Sequence, residues 1–184
     1  MLCSIIAARN GCEVFLYEKN EKLGKKLYIT GKGRCNVTNN CEVEDLLRAV
    51  MTNSKFLYSA FYTFNSQDMM ALLEEAGVPL KTERGNRVFP QSDRSSDIIR
   101  GLERLMKKYG VHVRFRSEVR EILTKDGAAT GISLADGEVQ NADAVVVATG
   151  GLSYPTTGST GDGYRFAAET GHKVVSQSPS LVPL

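Results

Sequence analysis

Ala144-Val145-Val146-Val147-Ala148-Thr149-Gly150-Gly151 is a run of five apolar residues that ends directly on a threonine and two glycines. A short, valine-rich run with no polar face reads as a strand covered on both sides, the kind that parallel sheets contain. Just before it, residues 119–124, 129–134 and 138–141 are strand-like segments separated by Asp126-Gly127 and Asp136-Gly137, which predicts a β-meander. Val111, Val113 and Phe115 alternate with His112, Arg114 and Arg116, as in a half-exposed strand. Near the N-terminus, residues 13–17 (Glu-Val-Phe-Leu-Tyr) form another β-favouring run, which ends at Glu18-Lys19. The intervening chain reads as mostly helical. A helix over residues 2–10 stops at Gly11, and a helical pattern over residues 43–75 closes at Gly77. Residues 79–90 predict a hairpin around Gly85-Asn86. Asp93 or Ser95 can cap a helix running to Tyr109, with Ile98, Ile99, Leu102, Leu105 and Met106 on one face. This order predicts an α/β domain whose parallel sheet carries an antiparallel excursion, joined by right-handed crossovers.

Composition narrows the function classes. A chain of 184 residues suits one domain, with 42% hydrophobic and 24% charged residues as in ordinary globular proteins. A net charge of +2 gives no reason to expect a nucleic-acid or membrane partner. The apolar start ends at Arg9-Asn10, far short of a membrane span. Cys3, Cys12, Cys35 and Cys41 form no C-x-x-C pair and have no histidine cluster, so no metal site is expected. The thiols read as reduced, and the protein as cytoplasmic.

Four places can carry chemistry. Glu18 stands at a strand end, where an acid either accepts hydrogen bonds from a ribose hydroxyl or is a solvated charge. In Gly31-Lys32-Gly33-Arg34-Cys35-Asn36, the glycines let backbone approach a ligand and the cations suit phosphate; the alternative is a basic surface loop. Cys35 has no partner spaced for disulfide exchange, so it reads as a packing residue. Thr149, Gly150 and Gly151 follow a strand, at the end where ligands of parallel sheets gather. Residues 158–163 precede a short helical pattern and either offer N–H groups to an anion or form a helix start capped by Asp162. His112 and His172 read as surface and structural residues. A nucleotide- or RNA-binding role for residues 22–34 lacks an aromatic stacking platform.

Glu18-Lys19, Leu23-Gly24-Lys25-Lys26-Leu27, the run Ile29-Thr30-Gly31-Lys32-Gly33-Arg34-Cys35-Asn36-Val37-Thr38-Asn39, Ala148 to Gly151 and Gly158 to Gly163 together resemble one family. It is the BaiN-like group of NAD(P)/FAD-dependent oxidoreductases, also called aminoacetone oxidase family FAD-binding enzymes. The resemblance covers essentially the whole chain. It implies a Rossmann-like, glutathione-reductase-type FAD-binding domain. It further implies that Glu18 with Lys19 meets the adenosine ribose and that Gly33, Arg34, Cys35 and Asn36 line the flavin or pyrophosphate. Val119 would offer backbone to adenine, and Thr149, Gly150 and Gly151 would touch the cofactor at the strand end. No catalytic residue is assigned.

Members of that group start with a strand and a G-x-G-x-x-G loop, which this chain lacks, and continue past Pro183-Leu184 into an inserted substrate domain before returning to the FAD domain. Residues 1–184 are therefore expected to be a single incomplete FAD-binding domain, missing its first strand, the insertion and the return segment. The resemblance implies hydride transfer between NAD(P)H and an organic small-molecule substrate through FAD. The competing expectation is a truncated, non-catalytic product that retains no FAD, is marginally stable, and exposes the edges of the strands that would flank the missing one. The oligomeric state is left open.

Overall fold

The structure, a computed structural model, describes residues 1–178. Residues 183 and 184, where the resemblance places the insertion, lie outside them. The chain divides into two compact units: Met1–Leu16 with Lys22–Val113, and Tyr17–Glu21 with the chain from Arg114 onward.

The first unit is organised by its longest helix. Elements α1 (Leu2–Arg9), α2 (Lys25–Ile29), α3 (Val43–Ala49), α4 (Tyr58–Thr63), α5 (Ser66–Glu75) and α6 (Ser95–Lys108) are joined by 3-10 turns at Thr30–Gly33 and Ser54–Leu57. The apolar stripe on α6 recurs every three or four residues, and Ile98, Ile99, Leu102, Leu105 and Met106 are all buried. Ile98, Leu102, Leu105 and Met106 share a core with Ile5 of α1 and with Leu72, Leu73, Ala76 and Val78 in and after α5. Full burial of a Leu or Ile side chain contributes about 1.5–3 kcal/mol, so this cluster is the main stabilising feature of the unit.

The helical pattern over residues 43–75 resolves into α3, α4 and α5. Asn53 takes a left-handed φ of 54°. Asn65 restarts the helix through a capping box: its side chain accepts from the Gln67 and Asp68 N–H groups while Asp68 accepts from the Asn65 N–H. The cap of α6 also differs from expectation. Its N-cap is Arg94, without a side-chain cap. Both expected caps are engaged elsewhere: Asp93 binds Arg34 and Lys81, and the Ser95 hydroxyl donates to the Tyr28 carbonyl at 2.7 Å.

The expected hairpin forms from β3 (Leu80–Glu83) and β4 (Arg87–Pro90), with Thr82 opposite Val88. A two-residue strand, β2 (Thr38–Asn39), pairs antiparallel with the other edge of β4. Separately, β1 (Phe15–Glu18) pairs with β5 (His112–Phe115). Near its start the His112 N–H donates to the Val14 carbonyl, and beyond its end the Ser117 N–H donates to the Glu18 carbonyl. Both strands advance in the same direction along this ladder, so the pair is parallel.

The second unit contains the meander β6 (Val119–Lys125), β7 (Ala128–Leu134) and β8 (Val139–Asn141), then a 3-10 turn at Pro155–Thr157 and helix α7 (Asp162–Glu169). Ile132, Leu134 and Phe166 are its buried apolar residues among those described. The run over residues 144–148 was expected to be a buried strand and is not one. It pairs with no described strand, and Val146 is 67% exposed. A strand exists only through its ladder, and apolar composition alone does not supply the missing N–H and C=O partners.

Gly101 tests the packing of α6. A Cβ there would lie 2.5 Å from Val78 Cγ2 and 3.4 Å from the Ala76 Cβ. Alanine favours a helix interior by about 1 kcal/mol over glycine. Val78 is buried and short, however, so relief requires backbone movement, and overpacking typically costs about 1–3 kcal/mol. Gly101→Ala is therefore expected to lower the thermal midpoint. An unchanged or raised midpoint would show that α6 has room to move.

Candidate functional site

In the first unit, residues 30–36 form a loop of unusual backbone conformation. Gly31, Lys32, Gly33 and Cys35 all have positive φ, at 55°, 57°, 84° and 61°. For the two residues with side chains this costs of order 1–2 kcal/mol each, a level of strain that collects at ligand sites. A Cβ at Gly31 would stand 2.9 Å from the Asn36 nitrogen, whereas one at Gly33 would meet nothing within 4 Å. The loop backbone is therefore closed on one side and open at Gly33.

The Arg34, Cys35 and Asn36 side chains support the loop, whereas Lys32 is exposed. The Arg34 guanidinium donates from Nη2 to Glu83 (2.5 Å) and Asp93 (2.5 Å) and from Nε to Asp93 (2.8 Å). It also lies 4.1 Å from the Phe89 ring centre, a cation–π distance. Lys81 donates to Asp93 at 2.7 Å, so two cations and two carboxylates neutralise one another. Lys81 and Arg34 hold the Asp93 carboxyl below its usual range, and Arg34 does the same for Glu83. The Arg34 and Cys35 N–H groups donate to the Gly31 and Thr30 carbonyls. Asn36, with its amide nitrogen facing two carbonyls, donates to Val88 O at 3.2 Å and Thr38 O at 3.1 Å. Cys35 is 1% exposed, and burial pushes its thiol pKa up, away from the thiolate needed for redox chemistry.

The second unit brings together the other expected residues. At the end of β1, Glu18 Oε1 accepts from the backbone N–H and the side-chain amide of Asn20, at 2.8 and 2.7 Å. Oε2 has no partner among the described residues. Lys19 does not extend freely: its ammonium donates to Thr160 Oγ1 at 2.6 Å and to Asp162 Oδ2 at 2.7 Å. The Lys19 hydrogen bond holds the Asp162 carboxyl below its usual range. Asp162 is the first residue of α7 rather than its cap, which is Gly161 with no side-chain cap. Its negative charge in the first turn is favourable to the helix dipole.

Thr149, Gly150 and Gly151 line the loop that runs toward α7. Gly150 has φ of 78°, and a Cβ there would stand 2.6 Å from Ser159 Oγ. A Cβ at Gly163, in the first turn of α7, would stand 3.0 Å from Thr149 Oγ1. The Thr149 hydroxyl is buried and has no hydrogen-bond partner among the described residues. An orphaned buried hydroxyl costs free energy until something bonds it, so a polar ligand atom fits here. Val119 opens β6 opposite Leu134, and a bulge separates it from Glu121. Bulges interrupt pairing and recur beside binding sites. Asn20 is the functional candidate that sequence reasoning missed. Its position two residues after the strand-end acid was the available signal.

Comparison with known proteins places the chain. Residues 1–178 match the family described as HI0933-like protein Rossmann domain. The chain belongs to that family. It is 31% identical over its full length to a 3-dehydro-bile acid delta(4,6)-reductase of Clostridium scindens, and 32% identical to a ribosomal RNA dihydrouridine synthase of Escherichia coli. It spans 44% of the length of each, and neither is named as an aminoacetone oxidase. Among solved structures it resembles a flavocytochrome c3 fumarate reductase (TM-score 0.60, 23% identity, 91% of this chain and 38% of that one). It also resembles the 3-ketosteroid-delta4-(5alpha)-dehydrogenase of Rhodococcus jostii (TM-score 0.61, 17% identity, 82% and 43%). The fold is Rossmann-like α/β with a parallel sheet, as expected. Among the described residues no helix is long and apolar enough to cross a membrane.

Arg34→Ala is expected to lower the thermal midpoint at neutral pH. Glu83 and Asp93 have lowered pKa values in the folded state, so their stabilisation is present above the unfolded carboxylate range and disappears as pH falls through the folded values. The deficit should shrink in acid. A deficit independent of pH would assign the role of Arg34 to its packing on Phe89. A thiol-alkylating reagent at neutral pH is expected to modify the exposed Cys3 and Cys12 but not Cys35 in native protein. Modification of Cys35 at a comparable rate would reopen a reactive role for it.

Proposed function

We propose that this chain is part of a single FAD-binding domain in an FAD-dependent oxidoreductase that passes hydride from a nicotinamide cofactor to an organic substrate. The observation that carries the cofactor reading is Glu18, an acid at the carboxyl end of a parallel strand with one oxygen fixed and the other unbonded. Glu18 would accept the adenosine ribose hydroxyls. Lys19 would act indirectly, by bracing the loop at Thr160 and Asp162. The Thr149 hydroxyl with Gly150 and Gly151 would meet the cofactor from the loop that runs toward α7, and the Val119 bulge would offer backbone to adenine. The open backbone at Gly33 would face the flavin or pyrophosphate, while Arg34, Cys35 and Asn36 would shape that loop from behind. Bound FAD would supply the hydride chemistry, and the protein would supply placement and water exclusion.

The names of the relatives suggest the substrate class. A delta(4,6)-reductase and a dihydrouridine synthase both reduce a carbon–carbon double bond, in each case one conjugated to a carbonyl. A ring containing an α,β-unsaturated carbonyl is therefore the proposed acceptor. The expectation that nucleic acid is excluded is not retained, because one such ring is a uridine within RNA and the other is a steroid-like enone. NAD(P)H oxidation by the intact protein, measured with each acceptor, distinguishes the two.

The cofactor itself is tested by spectrum and affinity. The purified intact protein is expected to carry flavin absorption, and Glu18→Ala to weaken FAD binding roughly 10- to 150-fold, as loss of a hydrogen bond to a charged group does. Absence of flavin binding by the unsubstituted protein would remove the reading. Unchanged affinity in Glu18→Ala would remove the role of Glu18.

A further inference from the structure

Asn20 carries no charge and belongs to no motif, yet hydrogen bonds from both its backbone and its side chain tie it to its surroundings. Its backbone N–H and its side-chain Nδ2 both donate to Glu18 Oε1, at 2.8 and 2.7 Å. The same Nδ2 donates to the Thr157 carbonyl at 3.3 Å, in the 3-10 turn Pro155–Thr157. In the other direction, the Arg116 N–H donates to the Asn20 carbonyl at 3.0 Å, which anchors the backbone of Asn20 beside the residue that follows β5. Gly158 closes the Pro155–Thr157 turn with φ of 99°, and a Cβ there would stand 2.6 Å from Asn20 Nδ2. The turn is thus shaped to admit the Asn20 amide.

A glutamate at a strand end ordinarily samples several rotamers, and a ligand must select one of them. Two donors on the same carboxylate oxygen remove that freedom and leave Oε2 as the oxygen available to a ligand. We infer that Asn20 is a positioning residue for the adenosine ribose subsite: it fixes the Glu18 carboxylate so that Oε2 meets the ribose hydroxyls, and it couples that orientation to the turn at residues 155–158. The inference rests on the FAD reading above. It adds a residue that neither touches the cofactor nor carries charge, and it makes the turn at Gly158 part of ribose recognition.

Affinity for FAD, measured by flavin fluorescence in the intact protein, tests it. Asn20→Ala is expected to raise the dissociation constant for FAD roughly tenfold, the effect of about one lost hydrogen bond to a charged group. The penalty should disappear for an FAD analogue lacking the adenosine-ribose 2′- and 3′-hydroxyls. It should also disappear in a Glu18→Ala background, where no carboxylate remains to be oriented. Gly158→Ala, which would displace the amide, should move FAD affinity in the same direction and show the same dependence on the ribose hydroxyls. Thermal unfolding of each apo variant monitors folding. If Asn20→Ala fails to fold, Asn20→Ser, which keeps the backbone donor and a small side chain, carries the comparison with a smaller expected loss. A penalty that persists with the analogue, or adds in full to that of Glu18→Ala, would overturn the inference and make Asn20 a turn residue only. So would unchanged FAD affinity. Failure of the unsubstituted protein to bind FAD would instead overturn the cofactor reading, and this inference with it.

Discussion

The parallel ladder between β1 and β5 is the constraint on which the candidate site depends. Strand pairing fixes where a strand ends as well as where it runs. Here the last bond, from the Ser117 N–H to the Glu18 carbonyl, ends the ladder at the acid. Glu18 and the two residues after it each make a different connection: Glu18 to Asn20, Lys19 to Thr160 and Asp162, and Asn20 to Thr157. A one-residue slip in the ladder would turn Glu18 to the opposite face of the strand and separate it from all of these partners.

The basic side chains do not have the role that their charge suggests. Arg34 and Lys19 both lie in motifs that resemble a dinucleotide site, and each is paired within its own unit, Arg34 with two carboxylates and Lys19 with one. Exposed ion pairs contribute little to stability, so their main effect is geometric. Arg34 fixes the loop over residues 30–36 against the β3–β4 hairpin, and Lys19 fixes the loop that enters α7. On the proposed reading, recognition of an anionic cofactor would rest mainly on backbone N–H groups, the Glu18 carboxylate and the Thr149 hydroxyl. A side-chain cation already paired in this way would have to break a carboxylate contact before it could bind phosphate.

Periodicity was enough to locate the elements whose burial follows from their own sequence. The α6 stripe, the β3–β4 hairpin and the three meander strands all stand where alternation and turn residues put them. The elements that depend on a partner elsewhere in the chain were not legible. Residues 144–148 have strand composition but no ladder; the breaks at the left-handed Asn53 and the Asn65 capping box, though local, are covered by the helical pattern over residues 43–75. In the same way Asp93 and Ser95 look like helix caps until Arg34, Lys81 and the Tyr28 carbonyl are seen to occupy them. The candidate site divides along the same line. Glycines and the strand-end acid are visible as residue types, whereas the support given by Asn20, Glu83 and Asp93 is a matter of which side chains meet.

The loop over residues 30–36 shows why that support matters. Lys32 and Cys35 hold left-handed conformations that a free chain of these residues would leave, since each costs of order 1–2 kcal/mol. Glycine at those two positions would remove the cost, so the retained side chains must be compensated by their surroundings. Cys35 is compensated by complete burial. Between them, Arg34 adopts an ordinary right-handed backbone at φ −91°, and its guanidinium is held by the Glu83 and Asp93 carboxylates and by the Phe89 ring. These contacts pin the chain on either side of the strained residues and oppose relaxation of the turn. The backbone at Gly33 is therefore set in place before any ligand arrives, and the entropy of ordering the loop is met during folding rather than on binding.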